Sequence, residues 1–309
     1  MKRICTFLVS TLLLAGCGNG TNPFMQNGGT AYQPTATPAA TNVPDALAKN
    51  LKSASYDPLT QTLTLDLRSL DGGTEFATYA RTPGLDVAGY QAYTIQQDWS
   101  HRHFTALVGE SGDPAKSVRA GVVGDGGQYN RYWSGGFYER DGGFTPPAGS
   151  GLVTYDGSYA GVTNIDGPGA VLAAPPAGAE ASTLPAQSAR TDGLIRLTVD
   201  FTNNAVNGSV YDRKFTDTAQ ALPTIVLVEG VIDATGAYAG KVEYDGEIDT
   251  NIGDFGGIFG GADAGGTGGV VALGEFDGVG DPLGYENEAE IGVFVLTKCG
   301  LPGAAPTCP

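Results

Sequence analysis

The stretch from Tyr238 to Phe276 constrains the fold more than any other part of the chain. Tyr238, Gly240, Val242, Tyr244, Gly246 and Ile248 alternate with Ala239, Lys241, Glu243, Asp245 and Glu247. A period of two with one apolar and one polar set marks a strand with a buried and a wet face. The continuation, Asn251 to Phe276, holds ten glycines, yet keeps Phe255, Ile258, Phe259, Val270, Val271, Leu273 and Phe276 at strand spacing. Glycine weakens a strand unless a bend or a close backbone approach requires it. A small closed sheet requires both, because it must coil sharply to meet itself. The stretch therefore predicts the closing strands of a β-barrel.

The totals agree with an all-β chain. Of 309 residues, 48 are Gly, roughly twice the usual share of about 7%. Charged residues are 16% and hydrophobic ones 41%, enough apolar surface for a buried core. The formal net charge is −16, from 17 basic and 33 acidic residues. Such a surface repels phosphate backbones and excludes nucleic acid as a partner, while it favours cationic partners and divalent cations.

Residues 1–16 read as a signal peptide. Lys2 and Arg3 precede an apolar run from Ile4 to Leu14, and Leu14-Ala15-Gly16-Cys17 has the form of a bacterial lipobox. The run is too short to span a bilayer as a helix. Cleavage would leave Cys17 as a lipidated N-terminus carrying diacylglycerol and a fatty acyl chain such as palmitate, which makes anchoring effectively permanent. Gly18 follows the cysteine, and the absence of aspartate there favours the outer membrane. Residues 17–44 are uncharged and rich in Thr, Pro, Asn and Gly, a composition that cannot offset the entropy of ordering. They are expected to be a disordered tether reaching roughly 30 Å.

Two folded units follow. Residues 45–147 are expected to form a smaller β-rich unit. It has a short helix near Ala46–Leu51, a strand marked by Leu63, Leu65 and Leu67, and further strands near Ala88–Gln97, Phe104–Val108, Ala120–Val123 and Tyr129–Tyr138. Residues 148–297 supply about eight strands, enough to close an antiparallel barrel and remove its edges. Val153, Tyr155, Gly157, Tyr159 and Gly161 share a face, and a Pro- and Ala-rich loop is expected over Ala173–Asp192. Ile195, Leu197, Val199 and Phe201 then turn at Asn203-Asn204 into Val206–Tyr211. Thr224–Ile232 is apolar enough to be covered on both sides, and Ile291–Leu296 is the last strand.

Phe255-Gly256-Gly257-Ile258-Phe259-Gly260-Gly261-Ala262, followed by Gly268-Gly269-Val270, resembles the G-x-F-x-G-x-x-A-x-x-x-G-G-x motif of the transferrin-binding protein B β-barrel family. The tyrosine-proline that precedes the alanine in that family is Gly260-Gly261 here. Residues 151–161 and 197–203 resemble opening strands of the same barrel. The resemblance implies an outer-membrane surface lipoprotein with an eight-stranded barrel preceded by a smaller handle. It further implies capture of an iron source, a host iron protein or haem, for a TonB-dependent receptor. A structural or shielding lipoprotein and a carboxylate-dependent hydrolase are the alternative readings.

Cys5 lies in the leader and Cys17 at the anchor, so residues 298–309 hold the remaining pair, Cys299 and Cys308. Two cysteines in an exported, oxidising setting are expected to form a disulfide. The candidate ligand-binding residues sit in the first unit. The two histidines of the chain, His101 and His103, stand beside Trp99 at strand spacing, an arrangement that would chelate a divalent metal or place imidazole near haem. Tyr129, Arg131 and Trp133 form a second cluster, of the residue types that dominate protein-binding hot spots. Asp277 and Asp281 sit in a glycine-rich loop that offers oxygens to calcium without completing an EF-hand pattern. No G-x-S-x-G, HExxH or CxxC occurs, so no catalytic residue is assigned.

Overall fold

A computed structural model of the chain describes residues 43–68, 74–128, 131–149 and 151–309. Cys17, the leader and most of the tether lie outside the described residues. The all-β expectation holds: one helical turn, α1 (Asp45–Ala48), is followed by fifteen strands. The first seven are β1 (Leu51–Asp57), β2 (Thr62–Arg68), β3 (Thr74–Arg81), β4 (Gln91–Ile95), β5 (Phe104–Glu110), β6 (Val118–Asp125) and β7 (Ser134–Arg140). They form one antiparallel sheet in chain order. Leu63, Leu65 and Leu67 point into its core with Tyr93, Phe104 and Phe137. The sheet curls so that its ends meet: the Asn50 amide donates to the Ser134 carbonyl at 2.9 Å.

The other eight strands are β8 (Leu152–Asp166), β9 (Ser188–Asp200), β10 (Ala205–Phe215), β11 (Ile225–Ile232), β12 (Ala237–Tyr244), β13 (Asn251–Gly260), β14 (Gly266–Gly274) and β15 (Ala289–Lys298). Each pairs antiparallel with the next, and β15 pairs with β8, which closes the expected eight-stranded barrel. Its interior is filled. Tyr155, Tyr159, Leu197, Phe255, Phe259 and Phe294 all belong to one fully enclosed cluster. The outer wall carries ion pairs such as Arg196–Asp156 at 2.5 Å and Lys241–Asp254 at 2.6 Å. Barrels that cross a bilayer show the reverse, an apolar band outside and a polar lumen. This barrel is patterned for water outside and packing inside.

One sector of that wall is apolar, and the first sheet covers it. Leu107, Ala120 and Val122 of the sheet pack on Ala160, Val162, Val270, Ala272, Ile291 and Val293 of β8, β14 and β15, and Val43 and Leu47 join them. Small residues allow the approach: a Cβ on Gly136 would lie 2.6 Å from the Val270 methyls. Tyr90 bolts the contact. Its hydroxyl donates to the Ser158 carbonyl at 2.9 Å and accepts from the Val295 amide at 2.8 Å.

Cys299 and Cys308 form the expected disulfide, with Cα atoms 5.5 Å apart. The looped tail folds back on the barrel wall, where Thr307 donates to Asp156 at 2.6 Å. Closing so short a loop contributes roughly 2–3 kcal/mol in the chain-entropy description.

Several local expectations are corrected. The helix near 46–51 is one turn and ends at Ala48, and Leu51 already begins β1. A bulge between Leu51 and Ser53 breaks the alternation of β1, so its buried residues, Leu51, Ala54 and Tyr56, follow no even period. β3 carries no clear period-two signal, because apolar Phe76 and Ala80 lie with Thr78 on its exposed side. Strand β12 stops at Tyr244, and Gly246 and Asp249 turn the chain with positive φ, which leaves Ile248 83% exposed rather than in the core. The loop before β9 ends at Gln187, not Asp192. Finally, β11 is fully dry on one side only: Ile225, Leu227 and Ile232 are buried, Val226 and Val228 are half-buried, and a bulge between Val228 and Val231 leaves Val231 exposed.

Candidate functional site

The histidine segment is a turn between β4 and β5, not a strand. The Asp98 carboxylate organises it. It accepts from the Ser100 amide at 2.8 Å and the Ser100 hydroxyl at 2.9 Å, and pairs with His101 Nδ1 at 3.1 Å. The Ser100 amide, followed by His101, holds the Asp98 carboxyl down at about 2. His101 is exposed and Trp99 half-buried, whereas His103 is 1% exposed. The turn thus sends the two imidazoles into different environments, and the shared face expected from strand spacing is not formed. Among the described residues, no three His, Cys, Asp or Glu side chains are grouped to hold a metal ion. Asp277 and Asp281 illustrate why: Asp277 is buried, its Oδ2 accepting from the Leu283 amide at 3.1 Å, while Asp281 is exposed.

His103 has neither ring nitrogen hydrogen-bonded among the described residues. Burial pulls its imidazole down to about 4, so the ring is neutral near pH 7. It lines a cleft of about 320 Å³ together with Thr78, Ala80, Thr94, Ile95, Gln96, Val171 and Ala173. The cleft opens where β3 and β4 part, since those strands pair only at Ala80–Thr94 and Arg81–Tyr93. Its far wall is the loop 167–187 between β8 and β9.

The aromatic cluster is also divided. Tyr129 lies outside the described residues. Arg131 is exposed, and Trp133 is half-buried against the core of the first sheet. Tyr132, between them, donates to the Val162 carbonyl of the barrel at 2.9 Å. The organiser is Arg102, which pairs with the buried Asp125 and donates to the carbonyls of Arg131 at 2.8 Å and Gln128 at 2.7 Å. Burial pushes the Asp125 carboxyl up, with Arg102 and the Trp133 and Gly127 amides pulling against it. Strand β7 begins at Ser134, so Arg131 and Trp133 precede it and do not share a strand face.

Two further features escaped the sequence reading. Inside the barrel, Arg213 Nη2 donates to Glu290 Oε2 at 2.9 Å, and the Tyr159 hydroxyl donates to Glu290 Oε1 at 2.5 Å. Glu290 shares a face with Phe294 and Leu296, so a charge on a core face was its visible signal. Arg213 had none, because a bulge between Tyr211 and Lys214 turns it inward.

The second feature is the contrast between the barrel's ends. One end carries short turns, 201–204, 233–236 and 261–265, while the other carries 167–187, 216–224, 245–250 and 275–288. The last three of these long loops hold nine carboxylates and no Lys or Arg. Two apolar side chains protrude among them, Ile248 and Val279, the latter 64% exposed. A cleft of about 340 Å³ lies there, lined by Pro223, Tyr244, Glu247 and Val279 among others. Another, of about 290 Å³, lies where the sheet, the barrel and the tail meet.

No protein-family model matches the chain, and no curated protein matches it. The solved structures it is similar to include transferrin-binding protein B and surface lipoprotein structures. A Trp-176-Ala, Tyr-167-Ala double mutant of transferrin-binding protein B from Haemophilus parasuis is 12% identical, with a TM-score of 0.36 over 80% of this chain and 54% of that one. The protein of the same name from serogroup B Neisseria meningitidis is 14% identical, with a TM-score of 0.34 over 80% and 52%. A surface lipoprotein is 13% identical, with a TM-score of 0.35 over 79% and 96%. The chain spans about half the length of the transferrin-binding proteins it matches.

Proposed function

We propose that this chain is a lipid-anchored outer-membrane surface protein that binds an external protein ligand through its long barrel-end loops, without catalysis. The filled barrel carries this reading. With aromatic rings and the Arg213–Glu290 pair occupying the lumen, a ligand meets the barrel on its rim or wall. The rim with the long loops offers what an interface needs. Protruding Ile248 and Val279 supply apolar anchors, and the carboxylates around them select a cationic face and speed encounter. Cys17 would fix the chain to the membrane, and the tether would hold the folded part away from it. Host iron proteins are the favoured ligand class, on the motif resemblance, with a TonB-dependent receptor as the receiving partner and haem as the lesser candidate.

The test is equilibrium titration of the soluble Cys17→Ser chain with iron-loaded transferrin and, separately, with haemin. Saturable transferrin binding is expected, weakened by salt because exposed charges are screened beyond about 10 Å at 0.1 M. Ile248→Asp with Val279→Asp is expected to weaken it at least tenfold. Saturable haemin binding in the absence of any protein binding would replace this reading with haem capture. Binding of neither would leave the shielding role.

A further inference from the structure

We propose that His103 is an acid-operated latch: protonation of its imidazole drives the ring from beneath residues 171–173 and frees the 167–187 loop of the barrel from the first sheet.

His103 is an enclosed base whose cation would find only a contact with its own backbone to stabilise it. His103 is 1% exposed, and neither ring nitrogen has a hydrogen-bond partner among the described residues. A neutral imidazole tolerates such a place at moderate cost. A charged one does not, since burying an unpaired ion costs far more than burying a neutral polar group. No carboxylate lines the cleft. Asp66 of β2, opposite Phe76, keeps one buried oxygen without a partner but is not part of that lining. Other described charges on the surrounding elements are committed. On β3, Arg81 is bound to Asp86 at 2.6 Å. In the turn before β5, Asp98 is bound to His101, and Arg102 to Asp125. Arg131 is exposed on the neighbouring loop and has the wrong sign to help. β4 and the residue after it contribute only Thr94, Ile95 and Gln96 to the cleft, and the 167–187 loop carries a single acid, the exposed Glu180. Among the described residues, a proton arriving on His103 therefore finds no counter-charge in the cleft lining unless the ring reaches water.

The loop above is the part that can yield. Its links to the sheet side are few: the Ala173 amide donates to Gln96 Oε1 at 2.8 Å, Gln128 Nε2 donates to the Thr183 carbonyl at 3.1 Å, and Val171 packs half-buried on the interface core. Segments with few apolar contacts and exposed hydrogen bonds open at low free energy. The Gln96 side chain that holds Ala173 also donates to the His101 carbonyl at 3.1 Å, so the loop, the turn and the histidine segment are mechanically joined. Opening would widen the 320 Å³ cleft beside Thr78 and Ala80 of β3.

The direction with pH follows from linkage. Burial lowers His103 to about 4 in the closed state, against the ordinary imidazole value of 6.5 when the ring is hydrated. Closure is then fully favoured above about pH 6.5 and loses ground as pH falls through that value toward 4. Across the window the open-to-closed ratio rises roughly 300-fold.

The experiment is an NMR titration of the full mature Cys17→Ser chain from pH 7.5 to 4, following both imidazoles and the Val171 and Ala173 amides. His101→Ala assigns the rings. The latch predicts that His103 titrates below the ordinary imidazole value of 6.5 and that the two amides shift with its midpoint. In His103→Leu those amides should stay still over the same range while far-UV circular dichroism reports an intact fold. His103→Gln serves the same purpose should the leucine variant not fold. A His103 midpoint near 6.5, or amide shifts unchanged in both variants, would overturn the proposal.

Discussion

Replacing Glu290 with alanine should lower the unfolding free energy by about 3–5 kcal/mol, the usual cost of stranding one member of a buried ion pair. Arg213 and Glu290 are both fully enclosed in the barrel. Glu290 also accepts the Tyr159 hydroxyl at 2.5 Å, and Arg213 donates to the Pro223 carbonyl at 2.8 Å. Glu290→Ala removes the acceptor of two donors at once and leaves a guanidinium in an apolar lumen with one carbonyl for company. Glu290→Gln keeps the shape and an acceptor, so its loss should be smaller. The double variant Arg213→Met, Glu290→Leu should recover most of the stability, because no charge then remains buried. Urea unfolding monitored by circular dichroism reads all three. A Glu290→Ala loss below about 1 kcal/mol would mean that the lumen admits water to the arginine.

Gly257→Val should destabilise by roughly 1–3 kcal/mol, toward the upper end. Gly257 faces Tyr238 across β12 and Gly269 across β14. A Cβ there would stand 2.5 Å from the Gly268 carbonyl oxygen and 2.5 Å from the Tyr238 hydroxyl. The carbonyl belongs to a paired strand, and the hydroxyl is held by Thr267 at 2.7 Å, so neither gives way easily. Gly257 lies within β13 and not at a bend, so the cause is close approach across the sheet alone. Gly274→Ala is the control. Nothing lies within 4 Å of its added Cβ, and its stability should be unchanged. A neutral Gly257→Val would remove the packing argument for the glycine-rich strands.

The barrel was legible because its strands are long and one face of each is dry. The alternation of Tyr155 and Tyr159, of Ile195 to Val199, and of Tyr238 to Tyr244 maps directly onto the enclosed cluster. Period-two reasoning fails where the backbone gains a residue or leaves the sheet. The bulge in β1 hid that strand, the bulge in β10 hid Arg213, and the turn after Tyr244 moved Ile248 from an expected core position to an exposed one. The candidate site suffered most from the same cause. Two histidines one residue apart imply a shared face only in an extended strand, and the Asp98-centred turn puts one in water and the other under a loop. That loop lies about seventy residues further along the chain, a contact that no local pattern announces.

On the proposed function, a closed, water-patterned barrel is displayed outside the cell on a lipid anchor at Cys17. The most direct test is intact mass spectrometry of the chain extracted from bacterial outer membranes, paired with trypsin treatment of intact cells before extraction. The expected result is an N-terminus at Cys17 carrying diacylglycerol and an acyl chain, with loss of the chain from trypsin-treated intact cells. An unacylated N-terminus at another residue, or a chain protected until the cells are broken, would contradict it.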